Sequence, residues 1–332
     1  MLLIDLIYIN SPGGISLSRL LLDHIIKNNL EDNVELLIDN RNFKLFNDFR
    51  FKKTIISKTE YSRLFFYLKN KNRFKSIFCF ANVPPPIKIE TNVLIYFHNE
   101  ILLNNKNLNF SLFKIYFFNL KWIYIKSRNS GGYTWIVQTD HIKSLLGKKL
   151  VVNSNSILKY PLFQNLKMNK CDKIENSFIY PTSDLPHKNN EVLLNAFKDA
   201  AYKTNKKIIL TITIDKIEIA DLPQNLHINF IGLIEHEELM DNMKKTKFLI
   251  FPSLRESFGL PLVEGIQANC KIITSNLNFV NELISPSYTF DPFDEKSITE
   301  AILLTLTKKR IPKSFIKINN SIDLIFKKLI DV

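Results

Sequence analysis

Two glutamates, Glu256 and Glu264, are the residues of this chain whose type and spacing best suit chemistry. They lie in FLIFPSLRESFGLPLVEG, residues 248–265, where an apolar strand ends at Pro252 and a helix is expected over 259–268. Glu264 then lies about one turn inside the helix, and Glu256 lies on the loop before it. This spacing predicts that both carboxylates face one ligand.

The loop before this helix also supplies backbone donors. Amide groups at a helix N-terminus point outward, and the helix dipole favours a phosphate or other electron-rich oxygens there. The expected donors are the amides of Ser257, Phe258, Gly259 and Leu260. Carboxylates beside such donors suit a ligand that carries both hydroxyls and phosphates.

Both halves of the chain alternate short apolar runs with helix-like segments, the βαβ rhythm of a parallel sheet. The length of 332 residues suggests about two domains. We therefore predict an α/β fold of two Rossmann-like domains that face a central cleft. Strands are expected at 2–9, 34–38, 76–80, 93–97, 134–138 and 149–153, and at 177–181, 208–214, 227–231, 247–251, 271–274 and 287–290.

A stretch rich in Asn, Lys and Ser interrupts this rhythm and sets the expected domain boundary. The predicted parts are an N-terminal domain at 1–154, a linker at 155–175, a C-terminal domain at 176–312 and a last helix at 313–332 that packs across the junction. Ligands of open α/β sheets lie beyond the carboxyl ends of the strands. The loops expected to line the cleft are 10–16, 98–102, 182–188, 232–235 and 253–261.

Cysteine usage and the N-terminus favour a cytosolic protein. Cys79, Cys171 and Cys270 show no Cys-x-x-Cys spacing, so neither a disulfide framework nor a zinc cluster is expected. The start MLLIDLIYINSPGG lacks a basic n-region and resembles a buried strand more than a signal peptide. No uninterrupted apolar run reaches about 18 residues, so no membrane-spanning helix is expected.

The Pro-Ser…Glu-x7-Glu segment resembles the motif of the retaining glycosyltransferases of family four, which have the two-domain GT-B fold. Three segments agree with that family in order and spacing: FIYPTSDLPHKNNEVLLNAF at 178–197, NFIGLIEHEELMDNMKKTKFLIFPS at 229–253 and KIITSNLNFVNELISPSYTFDPFD at 271–294. In the N-terminal half the resemblance is limited to Gly13-Gly14, YFHNE at 96–100 and VQT at 137–139.

The resemblance implies a donor site in the C-terminal domain, 176–312, and an acceptor site in the N-terminal domain, 1–154. The donor is then a nucleotide-diphosphate sugar. Glu256 would contact its sugar hydroxyls and Glu264 its ribose, while Lys188 would neutralise the diphosphate leaving group. The acceptor would be a saccharide, lipid-linked in enzymes of this kind.

Three further positions follow from the resemblance. Gly13 and Gly14 would let the backbone approach the diphosphate, which a side chain would obstruct; a plain turn is the alternative. His98, at a strand end, would lie near the reacting sugar, or would be a hydrogen-bonded structural residue. Family members commonly carry an Arg where this chain has Ser183, and Arg255 is a candidate replacement for that charge.

Metal and cofactor chemistry is not expected. No Asp-x-Asp occurs in the chain, which argues against a metal-clamped diphosphate. His236-Glu237-Glu238 lacks a second His or a Cys pair at ligand spacing, so we interpret it as a charge cluster at a helix start. No carboxylate is placed to act as a nucleophile. We therefore predict attack on the same face as the leaving phosphate, which accepts the acceptor's proton.

Charge is distributed very unequally along the chain. Residues 1–170 hold 25 Lys and Arg against 11 Asp and Glu, a net +14, whereas residues 171–332 have a net charge of −1. The excess indicates an anionic partner such as membrane lipid, phosphate or nucleic acid. Segment 41–75 combines eleven basic residues with nine aromatics. This mixture suits docking on an anionic membrane or stacking on a single strand.

The alternative for this basic-aromatic segment is that Phe65, Phe66 and Leu68 belong to a core helix whose polar face is basic. With the resemblance, the expected function is retaining, metal-independent hexosyl transfer in O-antigen or capsule synthesis. The protein is expected at the inner face of the cell membrane, bound peripherally and without a nucleic-acid partner. A non-catalytic lipid- or nucleic-acid-binding protein, or a nucleotide-sugar epimerase of the same fold, stays open.

Overall fold

A computed structural model of the chain describes residues 1–104, 110–130, 132–166 and 171–330, which divide into two compact units. The first unit comprises the described residues of 1–106, 111–164 and 319–332, and the second those of 107–110 and 165–318. Residues 167–170 of the predicted linker and 331–332 of the predicted last helix lie outside the described residues.

The first unit is built on a seven-stranded sheet whose neighbouring strands are all parallel. Its strands are β1 (Leu2–Asp5), β2 (Val34–Asp39), β3 (Lys52–Ile56), β4 (Ser76–Cys79), β5 (Asn92–Tyr96), β6 (Thr134–Val137) and β7 (Ile157–Lys159). Their order is β3-β2-β1-β4-β5-β6-β7. The order reverses between β1 and β4, where sheets of this type open a crevice.

The second unit contains a six-stranded parallel sheet and a short antiparallel pair. Its strands are β8 (Ile174–Tyr180), β9 (Ile208–Ile212), β10 (Leu226–Phe230), β11 (Thr246–Phe251), β12 (Lys271–Ser275), β13 (Ile284–Ser285), β14 (Tyr288–Phe290) and β15 (Phe315–Ile316). The sheet has the order β10-β9-β8-β11-β12-β14, and β13 pairs with β15. Here the order reverses between β8 and β11.

Ten α-helices connect these strands in the described ranges. They are α1 (Pro12–Lys27), α2 (Glu60–Asn70), α3 (Leu112–Arg128), α4 (Asp140–Leu150), α5 (Asn190–Tyr202), α6 (His236–Lys245), α7 (Leu260–Gln267), α8 (Asn278–Leu283), α9 (Glu295–Thr307) and α10 (Ile322–Ile330). None of those described is both long enough and apolar enough to cross a bilayer.

The central strands are buried along their length, and buried residues do not alternate with exposed ones. Every residue of β1 and β2 is buried, as are the last four residues of β11. Strands of this kind are typical of parallel sheets covered on both faces. The predicted α/β fold of two Rossmann-like domains, as in GT-B proteins, is thereby confirmed.

Two expectations near the domain boundary are wrong. The strand expected at 149–153 does not form, because α4 continues to Leu150 and Val151 ends it in the left-handed conformation with φ 56°. The linker expected at 155–175 begins too early, since β7 adds a strand to the first sheet and that unit continues to Gln164. Only Ile157 of β7 is buried, so the strand is too short to show an apolar pattern.

The last predicted element, the helix at 313–332, is also corrected. Its first part contains β15 and belongs to the second unit. Helix α10 begins only at Ile322 and belongs to the first unit, where Ser321 N donates to Pro161 O at 2.8 Å and Asn92 Nδ2 donates to Lys328 O at 2.9 Å.

The basic-aromatic segment 41–75 forms β3, which the sequence did not predict, and α2. Phe66 is buried in the core, whereas Phe65 and Leu68 are 69% and 52% exposed. The core-helix alternative is therefore right for Phe66 and wrong for its two neighbours. Helix α2 turns one apolar side inward and a second apolar side outward.

Candidate functional site

Lys188 and Glu256 form an ion pair beyond the carboxyl ends of β8 and β11. Lys188 Nζ lies 2.6 Å from Glu256 Oε1, and the two side chains are 16% and 15% exposed. Ser253 Oγ donates to the same carboxylate oxygen at 2.7 Å. Because β8 and β11 are neighbours where the strand order reverses, two loops that are distant in sequence meet at this pair.

Further contacts hold the loop that carries Lys188. Tyr180 OH, at the end of β8, donates to Lys188 O at 2.5 Å, and Leu254 N donates to His187 O at 2.8 Å. Lys188 Nζ also lies 5.7 Å from the centroid of the Phe251 ring, a favourable cation–π position. The ammonium group is therefore held in place before any ligand arrives, which reduces the entropy lost on binding.

Glu264 does not join the Lys188–Glu256 pair; it pairs with His236. His236 Nε2 lies 2.8 Å from Glu264 Oε1, and the Glu264 side chain is largely buried while that of His236 is one-third exposed. The hydrogen bond to Glu264 is the main cause that raises the pKa of His236 above its usual value. Helix α6 does begin at His236, as predicted, but the sequence interpretation missed this partner.

Helix α7 begins at Leu260, within one residue of the prediction. Gly259 precedes it with φ +93°, a conformation that disfavours any residue with a Cβ. Phe258 is buried and anchors the loop, whereas Ser257 and Leu260 are half-buried. Gly265 lies so close to the sheet that a Cβ there would be 2.8 Å from Leu249 Cδ1. The helix carrying Glu264 is thus set directly against β11.

Ser183, which stands where family members commonly carry an Arg, lies in the loop just before Lys188. Ser183 is exposed, and its carbonyl accepts a hydrogen bond from Asn190 Nδ2 at 2.9 Å. Arg255 lies close enough to His187 that its charge, after burial and the charge of Lys188, helps lower the pKa of that histidine to about 4. A second cation is therefore present near the Lys188 turn.

Gly13 and Gly14 lie in the first unit, inside the first turn of α1. The loop expected at 10–16 is corrected here, because Ser11 caps the helix by accepting from Gly14 N at 3.2 Å and Pro12 occupies the first turn. Proline is favoured there, since its missing amide would have no helical partner. Gly13 is exposed and Gly14 buried, so the two glycines begin a helix instead of forming a free loop.

His98 follows β5 in the first unit, as predicted. Its backbone amide donates to Asn82 Oδ1 at 2.6 Å, while ring atom Nδ1 is buried and has no partner among the described residues. Burial is the main cause that lowers the pKa of His98 to about 4, with a smaller effect from Lys121. The ring is therefore neutral at pH 7. Thr139 caps α4, with its hydroxyl oxygen accepting from Ile142 N at 3.2 Å.

The structure thus brings together two of the predicted residues directly, Lys188 and Glu256. It pairs Glu264 with a histidine of the same unit. Gly13, Gly14 and His98 belong to the other unit. In the described ranges no three His, Cys, Asp or Glu side chains converge as metal ligands; the expected absence of a metal stays a prediction.

Comparison with known proteins gives one family match. Residues 165–321 match the family model described as glycosyl transferases group 1. The O-antigen chain mannosyltransferase RfbU of Salmonella typhimurium is 26% identical over 190 residues, which cover 56% of this chain and 50% of the relative. An uncharacterized glycosyltransferase of Methanocaldococcus jannaschii is 31% identical over 106 residues, 31% of this chain and 30% of the relative. The chain spans half or less of the length of these curated relatives.

Solved structures resemble the chain over nearly its whole length. WaaG, a glycosyltransferase involved in lipopolysaccharide biosynthesis, superposes with a TM-score of 0.64 at 12% identity. The superposition covers 93% of this chain and 91% of the WaaG chain. WaaB, a lipopolysaccharide outer core galactosyltransferase, superposes with a TM-score of 0.63 at 12% identity. That superposition covers 99% of this chain and 94% of the WaaB chain. At such low identity these likenesses establish the fold alone. They show that the chain has the GT-B fold, and its residues 165–321, somewhat less than half of the chain, are similar to the group 1 glycosyltransferases.

Proposed function

We propose that this protein is a retaining, metal-independent glycosyltransferase that moves a hexose from a nucleoside diphosphate to a saccharide acceptor. The observation that carries the proposal is the Lys188–Glu256 pair, held at the carboxyl ends of β8 and β11. At that position a cation can bind the diphosphate of the donor, and a carboxylate can accept hydrogen bonds from the hydroxyls of its sugar. The match of residues 165–321 to the group 1 glycosyltransferases supports the same assignment.

Lys188 would act on the leaving group. Its ammonium contacts Glu256, and a bound diphosphate would compete for that contact. A fixed cation stabilises the negative charge that develops as the bond between sugar and phosphate breaks. Arg255, whose charge is felt at neighbouring His187, would add to this field where Ser183 supplies no cation.

Glu256 would then bind hydroxyls of the donor sugar. When the diphosphate draws Lys188 away, the carboxylate keeps its hydrogen bond from Ser253 Oγ and so keeps its orientation. Its remaining lone pairs can accept from sugar hydroxyls. One carboxylate would in this way pair with the lysine and also bind the sugar.

Glu264 would accept hydrogen bonds from the ribose. Its position near the start of α7, with Gly265 packed on β11, fixes the carboxylate relative to the loop at Ser257, Phe258, Gly259 and Leu260. His236 would orient this carboxylate by the hydrogen bond to Oε1 and leave Oε2 for the ribose. The dipole of α7 would add to the binding of the phosphates.

In the first unit, Gly13 and Gly14 would present the N-terminus of α1 to the diphosphate, and His98 would contact the reacting sugar. Because the His98 ring is neutral at pH 7, it would donate or accept a hydrogen bond without adding charge. In the transfer, the bond from the anomeric carbon to the diphosphate oxygen breaks and the bond to the acceptor oxygen forms on the same face. The acceptor's proton passes to a diphosphate oxygen.

The acceptor would be lipid-linked, and the reaction would serve O-antigen or capsule synthesis at the cytoplasmic face of the membrane. The similarity to a mannosyltransferase named for the O-antigen chain supports this placement. So does the net charge of +14 on residues 1–170, because an anionic leaflet attracts such a surface.

Thermal unfolding with nucleotides tests the donor assignment. The intact protein, Glu264→Ala and Glu264→Gln are each melted alone and with UDP, GDP, dTDP or CMP. A nucleotide present at about 100 times its dissociation constant adds about 2.7 kcal/mol to the free energy of unfolding. We expect one nucleoside diphosphate to raise the midpoint of the intact protein, and both variants to lose most of that rise.

The outcome decides between the proposal and its alternatives. Stabilisation that is equal in all three proteins would remove Glu264 from the donor site. No stabilisation by any nucleotide, combined with salt-sensitive binding to lipid or single strands, would favour a non-catalytic binding protein. The Gln variant separates loss of the carboxylate charge from loss of side-chain volume.

A further inference from the structure

Helix α3 exposes an unusually large apolar surface. Six of its side chains are between 42% and 86% exposed: Leu112, Phe113, Tyr116, Phe117, Leu120 and Ile123. Their separations of three, four and seven residues place them on one continuous side of the helix. Exposed apolar side chains that occur singly need no explanation, but a contiguous stripe marks a surface that contacts something.

The other side of α3 holds the helix on the first unit. Ile125 is fully buried, and Phe118 and Trp122 on the same side pack against the core of that unit. Tyr124, which projects beside Phe117 at the edge of the stripe, also packs against that core. Phe97, in that core, lies edge-on to Trp122 with ring centroids 6.4 Å apart. The helix is thus anchored by one apolar side while a second, wider apolar side faces solvent. The exposed stripe is not needed to attach the helix.

Charge on α3 has one sign only. The helix contains Lys114, Lys121, Lys126 and Arg128 and no acidic residue. On a helical projection at about 100° per residue, Lys114 and Arg128 border one edge of the apolar stripe and Lys126 lies beyond the other. Lys121 points towards the protein instead, with its Nζ 5.9 Å from the centroid of the Tyr8 ring. Within the part of the chain that the structure describes, none of the four is ion-paired with a carboxylate.

We propose that α3 docks the protein on an anionic lipid bilayer. The stripe from Leu112 to Ile123 would lie at the boundary between headgroups and acyl chains, with the helix parallel to the membrane surface. The flanking cations would reach the lipid phosphates, as long basic side chains do beside an inserted apolar face. Each Lys or Arg near an anionic leaflet adds attraction.

A second copy of the chain fits this surface less well. In a symmetric dimer through α3, the cations that flank the stripe of one protomer, Lys114, Lys126 and Arg128, would meet the same cations of its partner with no acidic residue on either helix. Like charges that face each other across an interface oppose association. An anionic membrane satisfies both the apolar stripe and its basic borders.

The basic-aromatic segment 41–75 is a weaker membrane contact than its composition indicates. Part of its charge is neutralised by carboxylates of the protein: Arg63 is fully buried against Asp5 at 2.9 Å, while the partly exposed Arg41 and Arg73 pair with Asp39 and Glu35. Helix α2 also begins with an acidic residue and exposes a narrower apolar stripe of Tyr61, Phe65 and Leu68. The insertion is therefore assigned to α3.

This inference deepens the peripheral membrane association contained in the proposed function and rests on it, but it does not depend on glycosyl transfer. A binding experiment without donor or acceptor keeps the two separate. Loss of vesicle binding would leave nucleotide stabilisation untouched, and absence of nucleotide binding would leave vesicle binding untouched.

The test is co-sedimentation of the full chain with large unilamellar vesicles. The vesicles are phosphatidylcholine alone or an equimolar mixture with phosphatidylglycerol. The variant is Phe113→Ser/Phe117→Ser, and the matched control is Tyr61→Ser/Phe65→Ser, an exposed aromatic pair on α2. We expect the α3 variant to bind the mixed vesicles at least about tenfold more weakly, and the control to keep wild-type affinity. Melting temperatures of all three proteins confirm that each is folded.

A second pair of variants tests the charge. Lys114→Gln and Lys126→Gln are each expected to weaken binding to the mixed vesicles roughly fivefold and to leave the weak binding to phosphatidylcholine unchanged. The proposal is overturned if the α2 control loses binding while the α3 variant keeps it. It is equally overturned if the wild type ignores both vesicles and instead self-associates through the stripe, which sedimentation velocity would show.

Discussion

The candidate site of the second unit and helix α3 of the first unit use charged residues in opposite ways. In the second unit the charges of the candidate site are paired and largely buried: Lys188 with Glu256, and Glu264 with His236. On α3 of the first unit, Lys114, Lys126 and Arg128 are exposed, as are the aromatic rings of the same helix at Phe113, Tyr116 and Phe117. Paired charges are held at fixed positions before a ligand arrives, whereas surface charges act through their summed field.

The difference shows why net charge and site chemistry are separate questions. The unit with the candidate donor site lies mostly within residues 171–332, which sum to −1, so it contributes almost nothing to the net charge. Residues 1–170 carry the excess of +14, yet the buried charges among them, such as Arg63 and Asp5, serve the core. A carboxylate or ammonium of the site acts through its position relative to the ligand. Because the two are paired, their charges cancel in the net charge of the chain.

We expect the largest effect from substitutions that remove one partner of the Lys188–Glu256 pair in the second unit. Glu256→Gln and Lys188→Met should each lower kcat/KM by about 100- to 1000-fold, because each removes a fixed charge that the transition state uses. The measurement is the initial rate of sugar transfer with the donor identified by thermal unfolding. Glu175→Gln is the control, since Glu175 pairs with Lys247 at the surface of the same unit and should leave the rate unchanged.

A rate that falls equally in all three variants would mean that the Lys188–Glu256 pair has no special role. The double variant adds information. If the two residues act on one ligand, the losses should be less than additive, because residues of one network couple.

The next largest effect is a loss of stability that distinguishes the buried side of α3 from its exposed side. Ile125→Ala should lower the free energy of unfolding by about 2–5 kcal/mol, because the side chain is fully buried. Ile123→Ala, on the exposed stripe of the same helix, should change it by less than about 0.5 kcal/mol. Urea unfolding of both variants measures the difference. Equal losses would show that the exposed stripe is covered by protein and would contradict the docking proposal.

The smallest effect concerns His236. Its pKa is raised in the folded protein above the usual 6.5, so the protonated ring stabilises the fold. That stabilisation is complete below about pH 6.5 and is lost as the pH rises through the raised folded-state value. Because the side chain is 35% exposed, we expect less than about 1 kcal/mol.

Urea unfolding of the intact protein and of His236→Asn at about pH 5.5 and about pH 8.5 checks this. The intact protein should be the more stable at the lower pH, and the gap should narrow at the higher one. A gap that stays constant or widens with rising pH would place the stabilising charge elsewhere.

Local patterns were sufficient for much of the second unit. Five of its six sheet strands form within about two residues of the expected limits at each end, and the sixth, β8, begins three residues early. Glycine, proline and the apolar run after Glu256 together located the start of α7. These features depend on backbone preferences and periodicity, which neighbouring residues decide.

The partners of the site residues could not be read locally. His236 and Glu264 meet because α6 and α7 pack near the same strand, and nothing in HEELM indicates a partner 28 residues away. Gly13 and Gly14 looked like a turn because glycines disfavour helices, yet Ser11 and Pro12 start α1 there. One capping side chain and one proline outweighed the local propensity.

The sequence by itself indicated the fold class, the strands of the second unit's main sheet and, with the family resemblance, the candidate residues Lys188, Glu256 and Glu264. Tertiary structure alone decided which of these pair, and which apolar side of α3 is covered. The reason is physical: periodicity shows that a helix has apolar sides, but both sides of α3 are apolar, and only packing on the sheet distinguishes the side that holds Ile125 from the side that exposes Phe113.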